Sequence, residues 1–217
     1  RGVGERSQYF GEGSPNFSIS YTIDDIDLSG IGMIGGLNDI SQIEVSKGPQ
    51  STIFGNNAIG GSISLKTNEP ADSTTFLLHG EIGSDRMNNF SITANFKIFK
   101  KNYLRLSIQK HNQNGFRENK FLNESNTNKK DELFLKMKIN LVPFKKLNVN
   151  NTFIFSEMDN GYDAWAPDNN KNFHTYTDQP GEDSQKTLAF SSRAEYSNDR
   201  WTFLGIVSHA STDMVHS

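Results

Sequence analysis

From residue 75 onward the chain repeats one pattern. Segments of about ten residues alternate apolar with polar side chains, the period of a strand with two different faces. Residues 89–99 set Phe90, Ile92, Ala94, Phe96 and Ile98 against Asn89, Ser91, Thr93, Asn95 and Lys97. Residues 103–111 set Leu104, Leu106 and Ile108 against Tyr103, Arg105, Ser107 and Gln109. Residues 132–142 put Leu133, Leu135, Met137, Ile139 and Leu141 opposite Lys136, Lys138 and Asn140. Residues 147–157 follow suit with Leu147, Val149, Phe153 and Phe155, except that Ile154 falls among the polar positions. Further strands are predicted at 75–84, 187–197 and 200–210. Short turns at 100–102, 143–146 and 198–199 alternate with long polar connections at 112–131 and 158–186, as an up-and-down antiparallel sheet requires. The connection at 85–88 is short where a long one belongs. Two architectures satisfy this pattern. One is a transmembrane β-barrel, apolar face to lipid, with Phe99, Tyr103, Phe144, Tyr196 and Trp201 as an interface girdle. The other is a soluble sandwich with the phenylalanines as core.

Composition changes near Pro70. Residues 1–70 hold 12 of the 18 glycines and 3 of the 16 phenylalanines, and four basic against eight acidic residues. Two units are therefore expected, 1–70 and 71–217. The net charge of −3 argues against nucleic acid as a partner. With no cysteine, thiol chemistry and disulfides are excluded. No apolar run is long enough for a transmembrane helix.

Within the first unit, residues 17–24 alternate Phe17, Ile19, Tyr21 and Ile23 with polar partners and predict a strand. Residues 40–70 read as strand, glycine-rich connection, strand and stop. Ile43 and Val45 alternate with Gln42 and Glu44, a half-buried strand by period. Gly48-Pro49, Gly55 and Gly60-Gly61 allow tight turns. Ile63 and Leu65 then alternate with Ser62, Ser64 and Lys66 before Pro70.

These residues carry a resemblance. Ile43, Glu44, Val45, Gly48, Pro49, Gly55, Ala58, Gly60, Gly61, Ile63 and Thr67 stand at the spacing found at the end of the plug domain of TonB-dependent outer-membrane receptors. Arg1-Gly2-Val3-Gly4 is similar to that family's arginine–glycine strand start. Tyr21-Thr22-Ile23-Asp24-Asp25-Ile26 is similar to its YIDGV strand, with Asp25 in place of the glycine and hence a different turn expected. The resemblance implies a mainly β fold: the C-terminal part of a plug followed by antiparallel strands of an incomplete transmembrane barrel. Seven strands do not close such a barrel, and plugged transporters have about 22. The chain also begins without a signal sequence, so a piece of a longer chain is expected.

The resemblance further implies a transporter in the outer membrane, not an enzyme. It takes up a scarce ligand by binding and plug rearrangement, with a ferric siderophore ahead of a vitamin or oligosaccharide. Its expected partners are a TonB-type energising protein of the inner membrane, the ligand and outer-membrane lipid. No cofactor and no metal ligand set is expected. Ligand contact is expected from the plug's apical loops through Gln8, Tyr9, Phe10 and Met33, and from the barrel loops through Arg117, Tyr162, Trp165 and Tyr176. Aromatic and arginine side chains commonly anchor recognition surfaces. Residues 68–74 would tether the plug to the first strand. The alternative is a secreted or surface β-rich adhesion protein, which leaves the Gly-Pro to Gly-Gly spacing unexplained.

Other readings carry less. Gly30, Gly32 and Gly35 match G-x-G-x-x-G, but no helical period follows, so a plain loop is expected. The five histidines lack metal-ligand spacing. Asp24, Asp25 and Asp27 read as a turn, not as a carboxylate pair for catalysis.

Overall fold

The computed structural model describes residues 17–31, 37–54, 58–163 and 166–216. Alternation becomes strand wherever it was read. The small sheet contains β1 (Ile19–Ile23), β2 (Ile26–Asp27), β3 (Ile40–Lys47) and β4 (Gly61–Thr67), with a one-turn helix α1 (Ser51–Phe54) between the last two. Its strand order is β2-β1-β4-β3, with β1 parallel to β4 and the other pairs antiparallel.

Seven long strands form the second sheet. They include β5 (Thr75–Ile82), β6 (Asn88–Phe99) and β7 (Asn102–Gln113). Short strands β8 (Glu118–Asn119) and β9 (Glu124–Ser125) follow, then β10 (Lys130–Phe144) and β11 (Leu147–Gly161). After β12 (His174–Thr175) come β13 (Glu182–Ser197) and β14 (Thr202–His216). The order β14-β13-β11-β10-β7-β6-β5 is an antiparallel meander. Three of its connections are tight, and the two long ones contain the separate three-stranded sheet β12-β8-β9. The long connections, expected as polar loops throughout, thus carry structure of their own.

The small sheet packs on the concave face of the large one. That buried face is polar: Ser91, Thr93, Asn95, Ser107, Thr152 and Thr187 are all buried. The opposite face is apolar and open, with Phe90 50%, Leu188 60%, Phe203 62% and Val207 67% exposed. Aromatic pairs such as Phe153–Phe190, 4.9 Å between ring centroids, lie on it. This inverts the plan of a soluble sandwich, in which the apolar faces meet.

Ile154 now has its reason. Strand register aligns Ser107, Lys136, Ile154, Ala189 and Ala210 in one row across the concave face. Ile154, Ala189 and neighbouring Phe134 are buried against Ile23, Ile26, Leu28 and Leu65 of the small sheet and its flanking segment. The residues that break the alternation are the patch that receives the small sheet's apolar core.

Two expectations need correction. Ile43 and Val45 are 49% and 61% exposed, so β3 is not half-buried. It is the edge of its sheet, and among the described residues nothing covers its outer side. Tyr103 does not join an outward girdle. It pairs in register with Lys97 and Asn140 on the concave face. Phe99, Phe144 and Trp201 are exposed at the tight-turn ends, and Tyr196 lies opposite Phe203 there.

Candidate functional site

The β1–β2 hairpin turns on Asp24 and Asp25, with φ of 46° and 69°. Two consecutive left-handed residues make the two-residue turn that matches strand twist, and Asp is among the few non-glycine residues that adopt it readily. The turn drives both carboxylates at the large sheet. Asp25 meets Arg193 at 3.1 Å. Asp24 lies 3.4 Å from Lys138 Nζ and accepts hydrogen bonds from the Thr67 backbone, 3.0 Å, and from the Thr67 hydroxyl. Ser191 Oγ donates to the Asp24 carbonyl at 3.0 Å.

Asp39, just before β3, forms a second corner. Arg105 donates through Nε and Nη2 at 2.8 and 2.6 Å, and Asn68 Nδ2 donates at 2.8 Å. Lys136 Nζ stands 4.0 Å away and also reaches the Asn38 and Asp39 carbonyls at 3.4 Å. Burial pushes the Asp39 carboxyl up, but the hydrogen bonds from Arg105 and Asn68 and the charge of Lys136 outweigh it and hold the group below its usual range. Asn38 donates to Ser107 at 2.9 Å. The two corners satisfy cations buried in the large sheet, which would be costly to leave alone.

Residues 68–74, read as a tether, are clamped. Asn95 accepts from the Ala71 amide at 3.0 Å and donates to the carbonyls of Ala71 and Ser73. Lys138 holds Glu69 and Lys97 holds Asp72, each at 2.6 Å.

At the other end, β8 and β12 lock the two long connections together in parallel, with Glu118 opposite His174 and Asn119 opposite Thr175. Buried Asn119 donates to Thr177 Oγ1 at 2.7 Å, and buried Asp163 accepts from the Thr175 hydroxyl. Arg117 and Tyr176 both belong to this cap. Arg117 stacks on Phe116, which meets Phe173 edge-on at 5.3 Å. Tyr176 donates to Asp168 at 3.0 Å, and that bond raises the phenol's pKa. Tyr162 stands apart, its ring 4.4 Å from that of His216. Gln8, Tyr9, Phe10, Met33 and Trp165 lie outside the described residues, as do Gly32 and Gly35 of the glycine loop.

Between cap and small sheet the concave wall carries a recess of about 130 Å³, lined by Gln109, His111, Glu132, Phe134, Ser156 and Met158. In the sequence only His111 and Phe134 stand out, the first as one of five histidines without metal-ligand spacing, the second as apolar between the inward Glu132 and Lys136; the others occupy ordinary polar-face or strand-end positions.

Residues 1–62 match the family model described as TonB-dependent Receptor Plug Domain. Among solved structures, the chain is similar to the ferric yersiniabactin uptake receptor of Yersinia pestis, with a TM-score of 0.83 at 16% identity over 93% of this chain and 33% of that one. The siderophore receptor PiuA of Acinetobacter baumannii gives 0.70 at 17% identity over 91% and 30%. The open form of the ferric-catecholate import receptor Fiu of E. coli K12 gives 0.69 at 20% identity over 94% and 33%. The chain thus spans about a third of the length of the receptors it matches. Its fold is that of a receptor plug seated on part of a barrel wall.

Proposed function

We propose that this chain is the plug, residues 1–70, and the first wall strands, 71–217, of a TonB-dependent outer-membrane transporter for a ferric siderophore. One observation carries the reading: a plug sheet sits on the polar face of a strand meander whose other face is apolar and exposed. Such a wall suits lipid outside and a hydrated interior. The free edges of β5 and β14 would pair with further strands, because unpaired backbone in lipid costs several kcal/mol per group.

The mechanism is binding followed by plug movement. The long connections face outward and gather the ligand at the cap and upper wall. The plug is held mostly by ion pairs and hydrogen bonds, with one small apolar patch. Water replaces polar contacts far more readily than it replaces a packed apolar core. A TonB-type protein of the inner membrane supplies the pull that makes this exchange.

The test is made with the full-length protein in cells. Its abundance is measured in outer-membrane fractions of iron-starved and iron-replete cultures, together with uptake of a ferric siderophore with and without the TonB partner. Induction by starvation and partner-dependent uptake support the reading. Presence in the membrane without induction moves the ligand towards a vitamin or oligosaccharide. Absence from that fraction removes the transporter.

A further inference from the structure

The wall divides into register rows of different chemistry. The rows that touch the plug hold Arg105, Lys136 and Lys138. The next two rows towards the cap hold none of these cation types. One runs Glu81, Asn89, His111, Glu132, Met158 and Gln185. The other includes His79, Ser91, Gln109, Phe134, Ser156 and Thr187. Arg105, Lys136 and Lys138 are all engaged with the plug, while the lining above offers carboxylates, amides, hydroxyls and the imidazoles of His79 and His111.

The recess at Gln109 and Glu132 sharpens this. Asn89 donates its amide to Glu81 at 3.0 Å, and an ionised carboxylate only accepts, so Asn89 turns its oxygen towards Gln109. Gln109 therefore gives its NH2 to Asn89 at 2.8 Å and aims Oε1 away from it. That oxygen is buried and has no hydrogen-bond partner among the described residues. Glu132 is fixed in the same way. Asn160 accepts from the Asp131 amide at 3.0 Å and donates to Glu132 at 3.1 Å. Two relays thus fix the side chains of Gln109 and Glu132, both of which line the recess.

We infer that this recess is a ligand subsite selecting a hydrogen-bond-donating arm without negative charge, an ammonium or hydroxyl, and rejecting an anionic face. Gln109 Oε1 and the Glu132 carboxylate accept from the arm, and Phe134 and Met158 flank its carbon stem. The inference rests on the reading of this wall as the lining of a ferric siderophore receptor.

The experiment uses purified full-length receptor and calorimetric titration with two probes. One is a ferric trihydroxamate bearing a free terminal ammonium, and the other is a trianionic ferric tris-catecholate. The cationic probe is expected to bind at least tenfold more tightly. Gln109→Leu and Glu132→Gln should each cut that preference roughly tenfold, the loss expected for one hydrogen bond to a charged group. Tighter binding of the tris-catecholate, or a preference unchanged in both variants, overturns the subsite and leaves the receptor standing. Binding of neither probe overturns both.

Discussion

Asp39 of the plug and Arg105 of the wall, 66 residues apart in sequence, meet through two parallel contacts of 2.8 and 2.6 Å with the carboxylate almost fully buried. Removing one partner strands the other. Asp39→Ala is expected to destabilise plug docking by about 3–5 kcal/mol, whereas the same change made in an Arg105→Met background should cost much less. Denaturant unfolding of the full-length protein compares the two. Equal losses would mean that the pair is not coupled.

The same carboxylate predicts an acid response. Its folded pKa lies below the ordinary 3.8. Its stabilisation is therefore complete above that value and is lost as pH falls through the folded one. Plug protection from protease should hold from neutral pH to about 4 and fall below it. Asp39→Asn should flatten this part of the profile.

Asn95, fully buried, grips the tether through both of its amide atoms. Asn95→Ala would leave the Ala71 amide to water. Hydrogen exchange at Ala71 is expected to accelerate about tenfold or more, with strand amides in the wall centre unchanged.

Gly30 takes φ of 77°, and a Cβ there would run into the ring of Phe17. Gly30→Ala should cost about 1–2 kcal/mol from the left-handed backbone alone, and more from the ring contact. Phe17→Ala in the same background should recover part of the loss. A Gly30→Ala variant of wild-type stability would refute the contact.

The cap predicts joint motion. Asp163→Ala removes the acceptor shared by Thr175 and Asn119. Exchange rates in both long connections should rise together, at Asn119 as well as at Thr175. A rise confined to 158–186 would mean that the connections move independently.

Much of this molecule was legible before any coordinates. Alternation at 89–99, 103–111 and 132–142 gave β6, β7 and β10 with their faces assigned, because the side-chain period of two is a property of extended backbone. Asp24 and Asp25 were legible as a turn, but the different turn expected from Asp25 in the glycine position does not form: Asp25 takes φ of 69°, as a glycine would, because Asp tolerates the left-handed region. Tyr103 shares the parity of Arg105, and it is parity, not nearness to a strand end, that sets its face. The exposure of Ile43 and Val45 could not be read from period. Alternation shows that a strand has two faces, not that anything lies against them.

What the sequence alone determined is therefore local: strand, turn and face, each set by covalent geometry and the residue's own chemistry. What the tertiary structure decided is the use of each face. Lys138, Gln109 and Ile154 are all inward positions by period. Docking of the plug makes the first a partner for Asp24, leaves the second lining the recess, and buries the third in the apolar patch. The physical reason is that pairing across two sheets depends on where one sheet settles on the other. That position is fixed by burial and ion pairs between residues far apart in the chain, which no periodicity encodes.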